Sequence, residues 1–306
     1  MKRDFLRLWD FSSDEISLLL KRAIELKSGK DALTCPLIGK NIGLLFEKAS
    51  TRTRVSFEVG IYQLGAQVIY MNPKEIQLGR GETIHDTARV LSRYLDAIVI
   101  RTFSHDTLVE FASNSSIPII NGLSDLHHPC QALADLMTIL EKKGKLKDIL
   151  LTYIGDGNNV ANSLIEAASR MEMNLRIACP KGFDPDSQIL KEAKAVAKSE
   201  LTILRNPTEA AEGADVLYTD VWVSMGQEEK AKEKKKKFKG YQLNTKILSC
   251  AKKNAIVLHC LPAHRGEEIT DDVMDSPQSA VFDQAENRLH TQKALLEFLL
   301  ASPITK

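Results

Sequence analysis

Long apolar runs are missing from this sequence, and no stretch approaches the length a membrane-spanning helix needs. The opening residues, Met1-Lys2-Arg3-Asp4-Phe5, lead into no apolar signal core. Cysteine is sparse: there are five (Cys35, Cys130, Cys179, Cys250, Cys260), an odd number with no C-x-x-C pair. That argues against a disulfide scaffold or a zinc ribbon and fits a reducing compartment. Neither sign of charge is in excess, the formal net value being +1, so no general attraction to nucleic acid or membrane follows. No repeat of solenoid period is present. The expectation is a cytoplasmic protein with neither a membrane nor a nucleic-acid partner.

What is there is a globular composition, 43% hydrophobic and 26% charged, over 306 residues, a length suited to about two domains. Ser12-Ser13-Asp14-Glu15 reads as a capping box, and Ile16, Leu19, Leu20, Ala23 and Ile24 follow at helical spacing as far as Gly29. β-rich runs then alternate with helical ones. Strands are expected at 41–46, 66–71, 97–101 and 117–121, with helices at 51–64, 83–95, 106–113 and 131–141. A charged break, Lys142-Lys143-Gly144-Lys145, marks a domain boundary. Beyond it strands are expected at 150–154, 175–178, 201–204, 216–219, 255–259 and 280–282, with helices at 160–171, 186–198 and 244–253. A last helix runs from about 285 to 300. Strands separated by helices imply parallel sheets covered on both faces. The fold class is therefore α/β, with two doubly wound domains, 1–143 and 144–285. The C-terminal segment, 286–306, is expected to pack back on the first. The Lys-rich run Lys232–Lys237 tempts a nucleic-acid reading, but Glu228, Glu229 and Glu233 lie before and within it. A solvated helix face is the better expectation.

The chain is organised around Phe46-Glu47-Lys48-Ala49-Ser50-Thr51-Arg52-Thr53-Arg54. A strand leads in and a helix leads out, with Val55, Val59 and Tyr62 along one side. Ser50 is placed to cap that helix, whose first turn offers free N–H donors and partial positive charge. With two threonine hydroxyls and two guanidinium groups added, the turn suits a phosphate dianion. In open parallel sheets ligands bind beyond the carboxyl ends of strands. Polar groups collect there: Gln77, Arg101 and His127-His128-Pro129-Cys130-Gln131 in the first half. In the second half they are Gly155-Asp156-Gly157-Asn158-Asn159, Asp220 and His259-Cys260-Leu261-Pro262. So many strand ends suggest a site in the cleft between two sheets. Gly155-Asp156-Gly157 begins like a dinucleotide fingerprint, but the third small position is Val160. The following strand ends in Cys179-Pro180-Lys181, without the acidic residue a ribose needs. That weighs against a nicotinamide-dependent dehydrogenase. A non-catalytic two-domain binder would not need the full set of phosphate and carbonyl donors.

Together these motifs resemble the aspartate/ornithine carbamoyltransferase family, over essentially the whole chain. Ser50–Arg54 looks like its carbamoyl phosphate loop, and His128-Pro129-Cys130-Gln131 is similar to its H-P-x-Q motif. Ser224-Met225-Gly226 and His259-Cys260-Leu261-Pro262 look like the ornithine branch and are the most specific. The resemblance implies carbamoyl transfer from carbamoyl phosphate to the δ-amine of L-ornithine, giving L-citrulline and phosphate; it does not separate arginine biosynthesis from degradation, and biosynthesis is the default expectation. A related enzyme for putrescine or N-acetylornithine is the alternative. It also implies that Ser50, Thr51, Arg52, Thr53, Gln77 and Arg101 hold the phosphate. Thr53, Arg101 and His128 polarise the carbonyl, while Gln131, Leu261 and Arg288 hold the NH2 end. Asn159, Asp220, Ser224 and Met225 bind ornithine, and Cys260 faces the attacking amine. Arg101, His128 and Cys260 are the catalytic candidates. The family uses no metal or organic cofactor and commonly forms trimers or multiples of them. Carbamoyl phosphate is expected to bind first, with Ser224–Gly226 closing on ornithine.

Overall fold

The computed structural model describes residues 2–29, 35–73, 81–223 and 231–301. The chain forms two compact units: Met1–Met137 with Glu286–Lys306, and Thr138–Ala285. The first unit holds α1 (Ser13–Lys27), β1 (Asn41–Phe46), α2 (Thr51–Gln63), β2 (Gln67–Met71), α3 (Ile84–Leu91), β3 (Ala97–Arg101), α4 (His105–Asn114) and β4 (Ile119–Leu123), and α5 (Pro129–Lys143) begins there. The second holds β5 (Leu150–Ile154), α6 (Asn159–Arg170), β6 (Asn174–Ala178), α7 (Ser187–Val196), β7 (Leu201–Leu204), α8 (Pro207–Ala211) and β8 (Val216–Thr219). There follow α9 (Ala231–Lys237), α10 (Thr245–Leu248), β9 (Ile256–His259), α11 (Asp271–Met274) and α12 (Val281–Leu300). Both divisions of the chain fall inside a helix, α5 and α12.

Each unit carries one parallel sheet, ordered β2-β1-β3-β4 in the first and β7-β6-β5-β8-β9 in the second. In both, the first strand in sequence sits inside the sheet and the chain winds outward to either side. The reversal falls between β1 and β3, and between β5 and β8. These are the places where a parallel sheet opens a crevice at its carboxyl edge. The capping box forms as read: the Glu15 N–H donates to Ser12 Oγ at 3.2 Å, and Glu15 Oε2 accepts from the Ser12 N–H at 2.9 Å. The C-terminal part of α12 packs in the first unit. Glu297 accepts from Arg22 at 2.9 Å, Asn287 from Lys27 at 2.8 Å, and the Phe298 ring lies 5.2 Å from Phe11.

Three expectations need correction. Residues 280–282 are not a strand: the chain bridges β9 only at Ser279 and then enters α12. Val281 and Gln284 are buried while Phe282 is exposed, the spacing of one helical turn. The helix expected at 244–253 is four residues long, because the backbone at Cys250 and Lys252 turns to bond Gly213 and Ala214. Strand β2 is not covered on both faces, and Val68, Ile69 and Tyr70 are all exposed. On α2, Val55, Val59 and Tyr62 share one side as expected, and that side is exposed, while Thr53, Phe57, Gly60 and Ile61 are buried. The lysine run is helical, as expected, and Lys232, Lys235, Lys236 and Lys237 are exposed. Lys234, however, is buried. No helix among the described residues is long and apolar enough to cross a membrane.

Candidate active site

In the first unit the candidate side chains meet at the crevice between β1 and β3. Ser50 caps α2, its hydroxyl accepting from the Thr53 N–H at 3.2 Å. Thr53 is buried, and its hydroxyl oxygen accepts from Arg101 Nη1 at 3.4 Å and from Arg288 Nη2 at 3.1 Å. Arg288 Nη1 donates to Gln131 Oε1 at 2.7 Å, and Gln131 Nε2 donates to Asp135 Oδ1 at 2.8 Å. Four elements, α2, β3, α5 and α12, are thus joined through one threonine hydroxyl and one amide. His128 is buried beside them. Burial holds its imidazole well below the usual histidine range, and Arg288, Arg101 and Arg52 push it further the same way. Three guanidinium groups acting on one neutral imidazole make a site that attracts an anion and offers neutral N–H donation.

Residues whose part sequence reasoning missed fix this loop. The Glu47 carboxylate accepts from the Thr102 hydroxyl and from the Phe103 N–H at 3.2 Å. Lys48 is buried, with its ammonium 2.5 Å from Asp125 and 3.9 Å above the Phe103 ring. Charged residues directly after a buried strand were the available signal. Asp135, one turn beyond Gln131, was equally readable as an i, i+4 partner. Arg54, read with the phosphate donors, instead pairs with Glu58 at 2.8 Å and lies 3.6 Å over the Tyr70 ring. Thr51 and Arg52 stand in the first turn of α2, exposed and half-buried respectively.

In the second unit the crevice lies between β5 and β8. Asn158 caps α6, its Oδ1 accepting from the Val160 and Ala161 N–H groups at 3.0 and 3.2 Å. Its Nδ2 donates to Asp220 Oδ2 at 2.7 Å. Asp220 Oδ1 accepts from the Val221 N–H at 2.8 Å and from Cys260 Sγ at 2.9 Å. The carboxylate beyond β8 therefore joins the strand ends on both sides of it. His259 Nδ1 accepts from the Leu261 N–H at 2.9 Å, which leaves Nε2 to donate to Glu268 Oε1 at 3.0 Å; both side chains are fully buried. Leu261 has φ +58°, a left-handed backbone rare for leucine, and its bond to Pro262 is cis. Asn159 is the first residue of α6. Gln77, Ser224 and Met225 lie outside the described residues.

Residues 3–141 match the model of the aspartate/ornithine carbamoyltransferase carbamoyl-P binding domain, and residues 147–299 that of the Asp/Orn binding domain. The chain belongs to the aspartate/ornithine carbamoyltransferase family. The ornithine carbamoyltransferase of Syntrophus aciditrophicus is 53% identical over 302 residues, covering 98% of this chain and all of the relative. That of Thermococcus kodakarensis is 52% identical over 305 residues, covering 97% and 96%. Among solved structures, the Pyrococcus furiosus ornithine carbamoyltransferase superposes with a TM-score of 0.94 at 48% identity, covering 99% of this chain and 98% of that one.

Within this carbamoyltransferase fold Arg288 crosses a sequence division. It falls in the stretch matched by the second domain model, yet its side chain joins Thr53 and Gln131 in the first unit. The glycines of Gly155-Asp156-Gly157 also find a reason without a nucleotide. A Cβ on Gly157 would sit 2.2 Å from the Pro185 nitrogen and 2.3 Å from the Asp184 carbonyl carbon, which are backbone atoms that cannot swing aside. Gly157→Ala is expected to destabilise the fold by about 1–3 kcal/mol through overpacking, read as a lowered Tm. An unchanged Tm would show that the turn relaxes freely.

Two groups of potential metal ligands occur among the described residues: Asp220, His259 and Cys260, and His264, Glu267 and Glu268. In the first, both His259 nitrogens are already engaged. In the second, Glu268 Oε1 takes His259 and the His264 N–H. His127, next to the site, is held at about 3 by burial first, with His105 and Arg7 adding repulsion. Its folded value is below its unfolded one, so its contribution to stability is complete above about pH 6.5 and is lost as pH falls toward 3. Tm is expected to decline on acidification from about pH 6.5, less steeply in His127→Gln than in the parent chain. Parallel profiles would remove His127 as the cause.

Proposed function

We propose that the chain transfers the carbamoyl group of carbamoyl phosphate to the δ-amine of L-ornithine, releasing L-citrulline and phosphate. The observation that carries this reading is the convergence of Arg101 and Arg288 on Thr53 around neutral His128. A dianionic acyl phosphate needs such a set. Ser50, Thr51, Arg52, Thr53 and Arg101 take the phosphate oxygens on the cap and first turn of α2. Gln77, outside the described residues, is assigned to the same phosphate. Arg101, Thr53 and an imidazole N–H of His128 stabilise charge developing on the carbonyl oxygen. Gln131 Oε1 is an acceptor for the carbamoyl NH2, and Leu261 belongs with it. Arg288 has donors only, so it orients Gln131 and Thr53 and serves oxygen atoms.

On the second unit Asp220 receives a cationic amine, with Asn159, Ser224 and Met225 assigned to ornithine's α-amino and carboxylate groups. Cys260, held against Asp220, lies where the attacking amine is set. That amine must lose its proton first, which costs roughly 4–5 kcal/mol at neutral pH from a pKa of about 10.4. Exclusion of water and fixed orientation offset this cost. No metal or organic cofactor enters the reaction.

Ornithine as the acceptor is supported by the names of relatives that match along their whole length. Putrescine lacks the α-carboxylate, and N-acetylornithine masks the α-amine that Asp220 suits. The test is to incubate the protein with carbamoyl phosphate and, separately, ornithine, putrescine, N-acetylornithine or aspartate, and to measure carbamoylated product and phosphate. Citrulline should dominate; faster turnover of another amine overturns the assignment. The Campylobacter jejuni relative, 39% identical with a TM-score of 0.91, is described as anabolic, and a biosynthetic role in the cytoplasm is the reading adopted for this chain. We further propose a homotrimer or a multiple of it. The exposed Val55, Val59 and Tyr62 of α2 and the exposed edge strand β2 support burial against second copies. Sedimentation velocity showing a monomer would sink that proposal.

A further inference from the structure

The lysine run has one member that does not behave like a solvated charge. Lys234 is buried, its ammonium 2.5 Å from Asp156 Oδ2 in the turn after β5. Its side chain runs past two aromatic rings, Phe183 at 5.6 Å and Phe238 at 6.0 Å. Those rings pack edge to face at 4.9 Å, and Phe238 stacks on Trp222 at 5.8 Å, two residues beyond Asp220. Both members of the ion pair are close to fully buried, at 9% and 11% side-chain exposure. A pair of this kind is costly to desolvate and is weak support for stability as such, so its gain is sought in what it positions.

Asp156 leads directly to the candidate site. Its backbone carbonyl accepts from the Tyr153 hydroxyl at 2.9 Å, and that hydroxyl lies 3.4 Å from Asn158 Oδ1. Asn158 in turn donates to Asp220, which holds Cys260. The turn is gripped from its other side as well, since the Gly157 N–H donates to the Phe183 carbonyl at 2.9 Å. The turn bearing Asn158 is thus clamped by Lys234 at one residue and by the Phe183 backbone at the next. The charges are coupled too. Burial raises the Asp156 carboxyl above its ordinary value and Asp220 adds to this, while Lys234 opposes both.

Resting on the function proposed above, we propose that Lys234 is a positioning residue for the ornithine half-site. By pairing with Asp156 it sets the 155–159 turn so that Asn158 meets Asp220 and presents that carboxylate to the substrate's amine. The rest of the lysine run has no such part. The reading deepens the role of the second unit and leaves the carbamoyl phosphate residues untouched.

The test separates positioning from plain anchoring. In Lys234→Met, the KM for ornithine is expected to rise about tenfold or more, with the KM for carbamoyl phosphate within about twofold of the parent. Lys234→Arg, which keeps the charge and the hydrogen bond, is expected to restore most of the ornithine KM. Lys234→Met alone strands a buried carboxylate and should also lower Tm. The double variant Lys234→Met with Asp156→Asn removes that charge and should recover Tm. Its ornithine KM should stay high, because the clamp is still missing. Recovery of both Tm and ornithine KM in the double variant would overturn the proposal, as would equal changes in both KM values. A parent chain that forms no citrulline removes the functional reading and this proposal together. A parent that turns over ornithine, with an unchanged KM in Lys234→Met, removes this proposal alone.

Discussion

Replacing Arg101 by alanine is expected to lower kcat/KM for carbamoyl phosphate by about a thousandfold or more, equivalent to about 4 kcal/mol of transition-state stabilisation. The magnitude follows from where the guanidinium sits. Arg101 ends β3, is buried, donates to the Thr53 hydroxyl and is one of three cations acting on His128. A charge-assisted donor in a dry site is worth several times one on the surface, because no water replaces it. The loss should appear mainly in kcat if Arg101 stabilises the developing oxyanion. It should appear mainly in KM if Arg101 only holds ground-state phosphate. Steady-state kinetics with ornithine saturating distinguishes them, and retention of activity within tenfold would remove Arg101 from the mechanism. Arg101→Lys should recover little, since an ammonium cannot reproduce the planar fork.

Asp220→Asn carries the second large effect. Asp220 Oδ2 accepts from Asn158 and Oδ1 from Cys260 and the Val221 N–H. The amide keeps the volume but loses the charge, and only one of its two terminal atoms can accept. The kcat/KM for ornithine is expected to fall by about a hundredfold to a thousandfold, in line with breaking a charge-assisted contact worth about 3–4 kcal/mol. The KM for carbamoyl phosphate should stay within about twofold, because the residues proposed for its phosphate group, Ser50 to Thr53 and Arg101, lie in the first unit and none of them bonds Asp220. If both substrates suffer equally, Asp220 supports the fold instead of the amine. Cys260→Ala should show the same selectivity with a smaller loss, because a thiol is a weak donor and carries no charge when protonated.

Strand ends were the most legible feature of the sequence. Residues 41–46, 97–101, 150–154, 201–204 and 216–219 were read to the residue, because an apolar run bounded by polar turns has few other uses in an α/β chain. Arg101, Gln131 and Thr53 were legible by position and Arg288 only through the family resemblance, and the structure joins them through hydrogen bonds that no spacing could reveal. Asp135 and Lys48 were passed over because a charged residue reads as exposed until a partner is known. Lys234 shows the same limit more sharply. Within a run of identical lysines only the fold decides which one is buried. The apolar Ala280-Val281-Phe282 was misread because three residues cannot distinguish a strand from one helical turn. The stripe on α2 was legible as one side of a helix, but periodicity does not say which side faces the helix's own core, and this one is exposed.

The interleaved course of the chain has a consequence for biogenesis. The first unit takes most of α12 from residues that follow both sheets in the sequence, and Arg288 arrives with it. A ribosome-bound chain that has emitted everything through Ala285 already contains every strand of both sheets, yet Thr53 and Gln131 still wait for their guanidinium partner. Chains cut off at that point should therefore keep much of their secondary structure while lacking the Arg288 contacts that join Thr53 and Gln131.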